Sequence, residues 1–97
     1  MAEAIRFEWD PRKAESNKRK HGIGFEDAMQ AFFDPLVCTD IEGHDHGEIR
    51  WRTIGQIGGR ICVVTHTSRE EDGVEINRIV SARKASRREL QGYEDGA

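Results

Sequence analysis

The chain has 97 residues and a formal net charge of −3, with 36% hydrophobic and 34% charged residues. This length supports one hydrophobic core but not two, so we expect a single domain over residues 1–97. No apolar run approaches the roughly 20 residues that span a membrane, and the start lacks the pattern of a secretion signal, so we expect a cytoplasmic protein. Cys38 and Cys62 lie in apolar, strand-like runs, which indicates two buried thiols rather than a disulfide.

The first half of the chain predicts a strand followed by two helices. Residues 5–9 alternate apolar and charged side chains, which is typical of a half-buried strand. Asp10 and Pro11 then favour the start of a helix over residues 11–21, and Gly22 is suited to end it in the left-handed conformation. A second helix is predicted from four apolar side chains at helical spacing: Phe25, Ala28, Met29 and Phe32.

The second half predicts mostly strands. Gly58 and Gly59 between two apolar runs are a strong hairpin signal. The expected elements are strands at residues 36–39, 49–57, 60–67 and 75–82, a polar loop at 42–47, an acidic turn at 68–73, and a helix from Arg83 or Lys84 to about Glu94. The fold class is therefore α+β: a small, antiparallel-rich sheet with two N-terminal helices and one C-terminal helix.

The charges are unevenly distributed along the chain. Residues 23–48 contain seven Asp or Glu and no Lys or Arg, whereas residues 1–22 carry a net positive charge. A chain with separated signs can present a basic surface to phosphates while an acidic strip faces elsewhere.

Several arginines fall on predicted strands. Strand alternation places Arg50 and Arg52 on one face, and Glu48 can project to the same side. On the last strand, alternation places Arg78 on the face opposite Arg83. Such groups suit RNA cleavage by internal transesterification, in which a base removes the 2′-proton and guanidinium groups bind the phosphate as charge develops. That route needs no metal, and we expect no cofactor.

The end of the first helix offers a second group of candidates. Asn17 and His21 lie one turn apart on the same face. In a structural interpretation, Asn17 bonds the backbone of the next loop and His21 ends the helix. In a functional one, Lys20 or His21 faces a phosphate or a 2′-hydroxyl, since histidine exchanges protons near neutral pH.

The segment His44-Asp45-His46-Gly47-Glu48 could place two imidazoles and a carboxylate on one face if it were extended. Its glycines favour a solvated loop instead, so a metal site is the weaker interpretation.

Motifs along nearly the whole chain resemble one known family, the BrnT toxins, which are the ribonuclease halves of bacterial type II toxin–antitoxin pairs and have a RelE-like fold. Each motif is weak alone, but the ordered set is specific. The matching pieces are Phe7-Glu8-Trp9-Asp10-Pro11, Asn17 with Lys20-His21-Gly22, Phe25-Glu26-Asp27-Ala28, Phe33-Asp34-Pro35, Gly47-Glu48-x-Arg50 with Gly55, Arg78-Ile79-Val80-Ser81-Ala82-Arg83-Lys84-Ala85, and Glu89 with Tyr93.

The resemblance implies an endoribonuclease that slows translation, without a bound metal. It also implies a BrnA-like antitoxin with a ribbon-helix-helix domain, through which the complex binds operator DNA, and a dimer or a heterotetramer of two toxins and two antitoxins. Under it we assign candidate roles as follows: Glu48 or His21 as base, Arg50 and Arg83 as phosphate clamps, Lys20 as charge stabiliser, Tyr93 as acid or as a core residue, and Arg52, Arg78 and Lys84 as further RNA contacts.

Two other functions stay open from the sequence. The acidic block could receive a basic antitoxin helix, which would suit a non-catalytic module that only holds a DNA-binding partner. A metal-dependent hydrolase would use His44, His46 and Glu48. A chain that leaves RNA intact at high concentration yet binds the neighbouring gene's product tightly would favour the first of these functions. Activity that persists in the presence of a chelator would exclude the second.

Overall fold

The computed structural model describes residues 4–96. Its strands are β1 (Ala4–Trp9), β2 (Cys38–Asp45), β3 (Glu48–Ile57), β4 (Arg60–Glu71) and β5 (Val74–Lys84). Its helices are α1 (Pro11–His21), α2 (Phe25–Ala28), a 3₁₀ helix (Met29–Phe33) that continues α2, and α3 (Arg87–Asp95). In the described part of the chain, no helix is long and apolar enough to cross a membrane.

The strands form one mixed sheet in the order β1-β5-β4-β3-β2. Strands β2 to β5 follow one another in the sheet and form three antiparallel pairs. Strand β1 pairs parallel with β5 and is connected to β2 through the helices. The α+β class is confirmed. The sheet is larger than the small antiparallel one predicted, because β4 and β5 extend over 12 and 11 residues.

One face of the sheet, which we call the helix face, carries the main core. Phe25, Ala28 and Ala31 pack there against Val64 and Ile79 of the central strands, and all five are buried. Met29 and Phe32 are half-buried against the same cluster, so the predicted apolar stripe is confirmed. Burial of this stripe is what holds the short helices on the sheet.

The ends of α1 follow the predicted signals. Asp10 accepts a hydrogen bond from the backbone N–H of Arg12 at 2.8 Å, and Gly22 has φ 74°. Asn17 is buried, and its amide donates to the carbonyl groups of Ile23 and Ala82 and accepts from the N–H of Ala82. It thus bonds the edge of β5 beyond the end of β1, which confirms the structural interpretation of this residue.

The hairpin connections are tighter than predicted. Gly58 and Gly59 turn as expected, both with positive φ. The predicted loop at 42–47 is too long, since β2 reaches Asp45 and the turn is only His46-Gly47. The predicted turn at 68–73 is also too long, since β4 reaches Glu71 and the turn is only Asp72-Gly73. All four turn residues have φ between 51° and 79°, the geometry of a two-residue hairpin whose twist matches the strands.

Three further predictions need correction. The last helix begins at Arg87 rather than at Arg83 or Lys84, because Ser86 and Glu89 form a capping box and the preceding residues complete β5. The strand predicted at 36–39 begins only at Cys38, and this cysteine is exposed rather than buried, since it lies on the edge strand.

Gly55 on β3 permits the close approach of the 3₁₀ helix to the sheet. A Cβ at this position would overlap the backbone carbonyl of Ala31. We expect Gly55→Ala to destabilise the protein by about 3 kcal/mol, because a backbone group cannot move aside as a flexible side chain can. Urea unfolding measures the change.

Gly92→Ala is the matched control, because a Cβ at Gly92 has no heavy atom within 4 Å and the residue lies inside α3. Alanine should stabilise this helix by up to about 1 kcal/mol. Equal effects of the two substitutions would contradict the role given to Gly55.

Candidate functional site: an arginine face

The sheet face opposite the helix face carries a group of arginines, and we call it the arginine face. It is defined by Arg52, Arg69, Arg78 and Arg83. Adjacent residues of a strand point to opposite faces of the sheet. Thr53, next to Arg52, is buried on the helix side, and Ala82, next to Arg83, belongs to the helix-face core, so both arginines point to the other face. At one end of this face, α3 packs over Ile54 and Val63 through Tyr93.

A β-bulge brings Arg78 to this face. Thr65 pairs with Ser81 but His66 pairs with Ile79, so Val80 is an extra residue on β5. The bulge reverses the alternation, and Arg78 lies on the same side as Arg83. The prediction that the two arginines lie on opposite faces is therefore wrong, because it assumed an unbroken period of two.

The first cluster on this face joins strands β2, β3 and β5 to α3. Arg83 makes a bidentate ion pair with Glu89, at 2.7 and 2.9 Å. Arg52 makes a bidentate pair with Asp40, at 3.0 and 2.9 Å, and its Nη1 lies 3.4 Å from Glu89 Oε2. One carboxylate of α3 thus lies between two guanidinium groups, a position with the charge and size that suit a phosphate.

The second cluster lies toward β1. Arg69 of β4 binds both oxygens of Glu8, at 3.0 and 3.2 Å, and Arg78 of β5 binds Glu8 at 3.0 Å. The side chains of Arg69 and Arg78 are 44% and 47% exposed, so solvent or a ligand reaches them from the open side.

The pairs around Glu89 and Glu8 favour the ionised form of both carboxylates. The guanidinium of Arg83 lowers the pKa of Glu89 to about 2, and Glu89 in turn raises the pKa of Arg83. Hydrogen bonds from Arg69 and Arg78 lower the pKa of Glu8. The result is a row of permanent positive charges, each oriented by a carboxylate that an anionic ligand could replace.

Glu48 and Arg50 lie on the same face, by alternation with Arg52 along β3. Glu48 is exposed at the first position of the strand, and Arg50 is half-buried. The structure therefore brings five of the predicted residues to one face: Glu48, Arg50, Arg52, Arg78 and Arg83.

Lys20, His21 and Lys84 are not brought to this group. Helix α1 packs on the helix face through Ala14, and its last residues Lys20 and His21 are exposed there. Lys84 pairs with Cys62, whose side chain belongs to the helix-face core, so it too points away from the arginines. The predicted site residues therefore divide between the two faces of the sheet, because strand order and register fix the side that each residue occupies.

Tyr93 lies in the small core beneath α3. Its side chain is buried, and its hydroxyl donates a 2.6 Å hydrogen bond to Asp34 Oδ2. This bond, together with burial, raises the pKa of Tyr93 to about 12. Of its two predicted roles, the geometry favours the core residue over the acid, because the hydroxyl already donates its proton in a hydrogen bond to a buried carboxylate.

The proposed metal set does not converge. His44 pairs with Ile49, one position from Glu48, so the imidazole and the carboxylate lie on opposite faces of the hairpin. Among the residues that the structure describes, no three His, Cys, Asp or Glu side chains form a group that could hold an ion.

Sequence reasoning missed Glu8, Asp40 and Arg69 as members of the site. Glu8 and Asp40 face the arginines only once the strand order is known, and Arg69 fell in a segment predicted as a turn. The dipeptide Asp72-Gly73 could have shown that β4 continues past Arg69, because Asp-Gly is a strong two-residue hairpin signal.

The Arg83–Glu89 pair makes stability depend on pH. Folding lowers the pKa of the Glu89 carboxyl from its ordinary value of 4.5 to about 2. The ion pair therefore stabilises the protein fully at pH values above 4.5, and this stabilisation is lost as the pH falls toward about 2. We expect Glu89→Gln to cost about 1–2 kcal/mol at pH 7 and progressively less between pH 4.5 and 2. Urea unfolding of both proteins across this range measures the difference, and a constant difference would contradict the assignment.

The match to known families runs over residues 9–89 and is to the model described as the ribonuclease toxin BrnT of type II toxin–antitoxin systems. No match was found among curated proteins. The matched span begins on β1, ends on α3 at Glu89, and includes Arg52, Arg69, Arg78 and Arg83. The chain therefore belongs to the BrnT family of ribonuclease toxins of type II toxin–antitoxin systems.

Proposed function

We propose that this chain is a metal-independent endoribonuclease that binds the RNA backbone on the arginine face. The observation that carries this proposal is the alignment of four guanidinium groups, from strands β3, β4 and β5, on one side of the sheet. Planar guanidinium forks bind phosphate in two places at once, which orients it as well as neutralising it.

The proposed reaction is internal transesterification. Glu48 takes the proton of the 2′-hydroxyl, and the 2′-oxygen forms a bond to phosphorus. The bond from phosphorus to the 5′-oxygen breaks, and the leaving 5′-oxygen takes a proton from water. The products are a 2′,3′-cyclic phosphate and a 5′-hydroxyl end. Charge on the phosphate oxygens rises in the transition state. Arg83 and Arg52 stabilise it, together with Arg50, which lies two residues before Arg52 on the same face of β3.

RNA binding requires an exchange of partners within the first cluster. Glu89 lies between Arg83 and Arg52, so a phosphate that binds both must replace its carboxylate on at least one of them. The 3.4 Å contact to Arg52 is the longer of the two and is the one we expect to open first.

The partner that we propose is a BrnA-like antitoxin with a ribbon-helix-helix domain, which brings the complex to operator DNA in the cytoplasm as a dimer or a heterotetramer. The family supports an antitoxin, since a type II toxin is held by a protein partner. The acidic segment 23–48, in which Glu26 and Asp27 are exposed on α2, supports a basic contact surface on that partner.

Arg83→Ala and Arg52→Ala should each reduce RNA cleavage at least about 100-fold, because each removes a charge from the phosphate site. Arg60→Ala is the matched control, an exposed arginine at the β3–β4 hairpin that should leave the rate unchanged. Cleavage of a labelled RNA, with chelator present, measures the rates, and urea unfolding shows that the variants fold.

If both variants cleave as fast as the Arg60→Ala control, the arginine face is not the active site. If the folded wild-type protein cleaves no RNA at high concentration yet binds its antitoxin, the chain is a binding module without catalytic activity.

A further inference from the structure

A cleft of about 270 Å³ opens on the helix face, beside the 3₁₀ helix and on the side of the sheet away from the arginines. Its size lies just below the roughly 300 Å³ at which clefts hold drug-sized ligands, which suits a single planar ring system. The residues that line it include Phe32, Trp51, Thr53, His66, Glu75 and Asn77.

A buried polar network forms the floor of this cleft. Thr53 and His66 are 1% and 3% exposed, and their side chains are 2.7 Å apart. Thr39 continues the network at 2.9 Å from Thr53, and His66 Nδ1 lies 3.3 Å from the carbonyl oxygen of Thr67. Burial lowers the pKa of His66, so the ring is neutral and its Nδ1–H donates to that carbonyl.

This network is not explained by the arginine face. Hydrogen bonds offset the cost of burying these polar side chains, but apolar residues at the same positions would need no such partners. A polar floor under aromatic walls is instead typical of a ligand site, in which few polar groups fix the orientation.

The polar wall of the cleft limits which ligand fits. Glu75 is half-buried there and accepts a 2.8 Å hydrogen bond from Asn77, which is 1% exposed. A carboxylate accepts hydrogen bonds but donates none, so it suits a ligand edge with two adjacent donors. Among the four RNA bases, only guanine presents such an edge, through N1–H and the N2 amino group.

The aromatic walls suit the same ligand. Trp51 is half-buried and Phe32 packs against the His66 ring at 4.8 Å, so both offer faces or edges to a flat ring system. Unpaired bases bind proteins by stacking on aromatic side chains while their Watson–Crick edge is hydrogen-bonded.

We propose that this cleft binds a guanine base, with Glu75 accepting from N1–H and the N2 amino group and Trp51 contacting the ring. The base can belong to a free nucleotide or to single-stranded RNA. Since the cleft and the arginines lie on opposite faces, the guanine is not the nucleotide whose phosphate reacts.

Titration with guanosine 5′-monophosphate, followed by tryptophan fluorescence and calorimetry, tests the site. Trp51 lines the cleft, whereas the only other tryptophan, Trp9, packs against Phe25 in the core. We expect saturable quenching, with adenosine, cytidine and uridine monophosphates at least tenfold weaker. Inosine monophosphate, which lacks the N2 amino group, should bind with an affinity between that of guanosine monophosphate and those of the other three. Equal responses to all nucleotides, or none, would overturn the proposal.

Glu75→Gln should weaken the binding of guanosine monophosphate at least about tenfold, because it removes a hydrogen bond to a charged group. It should also abolish the preference for guanosine monophosphate over inosine monophosphate. Glu94→Gln, an exposed carboxyl on α3, is the control and should bind as wild type. An unchanged Glu75→Gln affinity would also overturn the proposal.

Competition with a short non-cleavable RNA that contains one guanine distinguishes the two sources of the base. If this RNA competes with the monophosphate and binds more tightly, the cleft holds RNA; if it does not compete, the cleft takes the free nucleotide. These binding measurements do not depend on RNA cleavage, so the site and the ribonuclease can fail separately.

Discussion

The carboxylate of Asp34 is the interaction on which the arrangement of the arginine face depends. It lies at the end of the 3₁₀ helix, where Oδ1 accepts from the N–H of Leu36 and Oδ2 accepts from the N–H of Gln56 and the hydroxyl of Tyr93. One side chain therefore joins the helix face, strand β3 and helix α3. These donors hold its pKa low, so the group stays ionised in a buried position.

Helix α3 links the Asp34 carboxylate to the arginine face. Tyr93 fixes the helix over Ile54 and Val63, and one turn earlier the same helix presents Glu89 to Arg83 and Arg52. A chain of contacts thus leads from a buried carboxylate to the guanidinium groups that we propose bind phosphate. Arginines held by carboxylates are oriented before the substrate arrives, which reduces the entropy lost on binding but requires an exchange of partners.

Local sequence patterns predicted the elements well where the signal is itself local. The two glycines at 58 and 59, the cap at Asp10 and the apolar stripe of α2 each act within a few residues, and each is confirmed. The bulge at Val80 could not be predicted in this way, since it is a mismatch in register between two strands. Because a bulge reverses the face of every residue beyond it, this one unpredicted residue changed the position of Arg78.

The hydrogen bonds of Asn17 explain why the cations of α1 lie on the opposite side of the sheet from the arginine face. Asn17 binds the free edge of β5, which fixes α1 on the helix side and leaves its Lys and Arg side chains exposed there. Charges so placed cannot touch a phosphate held on the arginine face, but they add to the field around the molecule and can increase the rate at which a polyanion arrives. The basic residues thus divide into two groups with different physical effects, long-range attraction from the helix and directional binding from the strands. The edge hydrogen bonds of Asn17, rather than the number of charges, determine to which group Lys20 belongs.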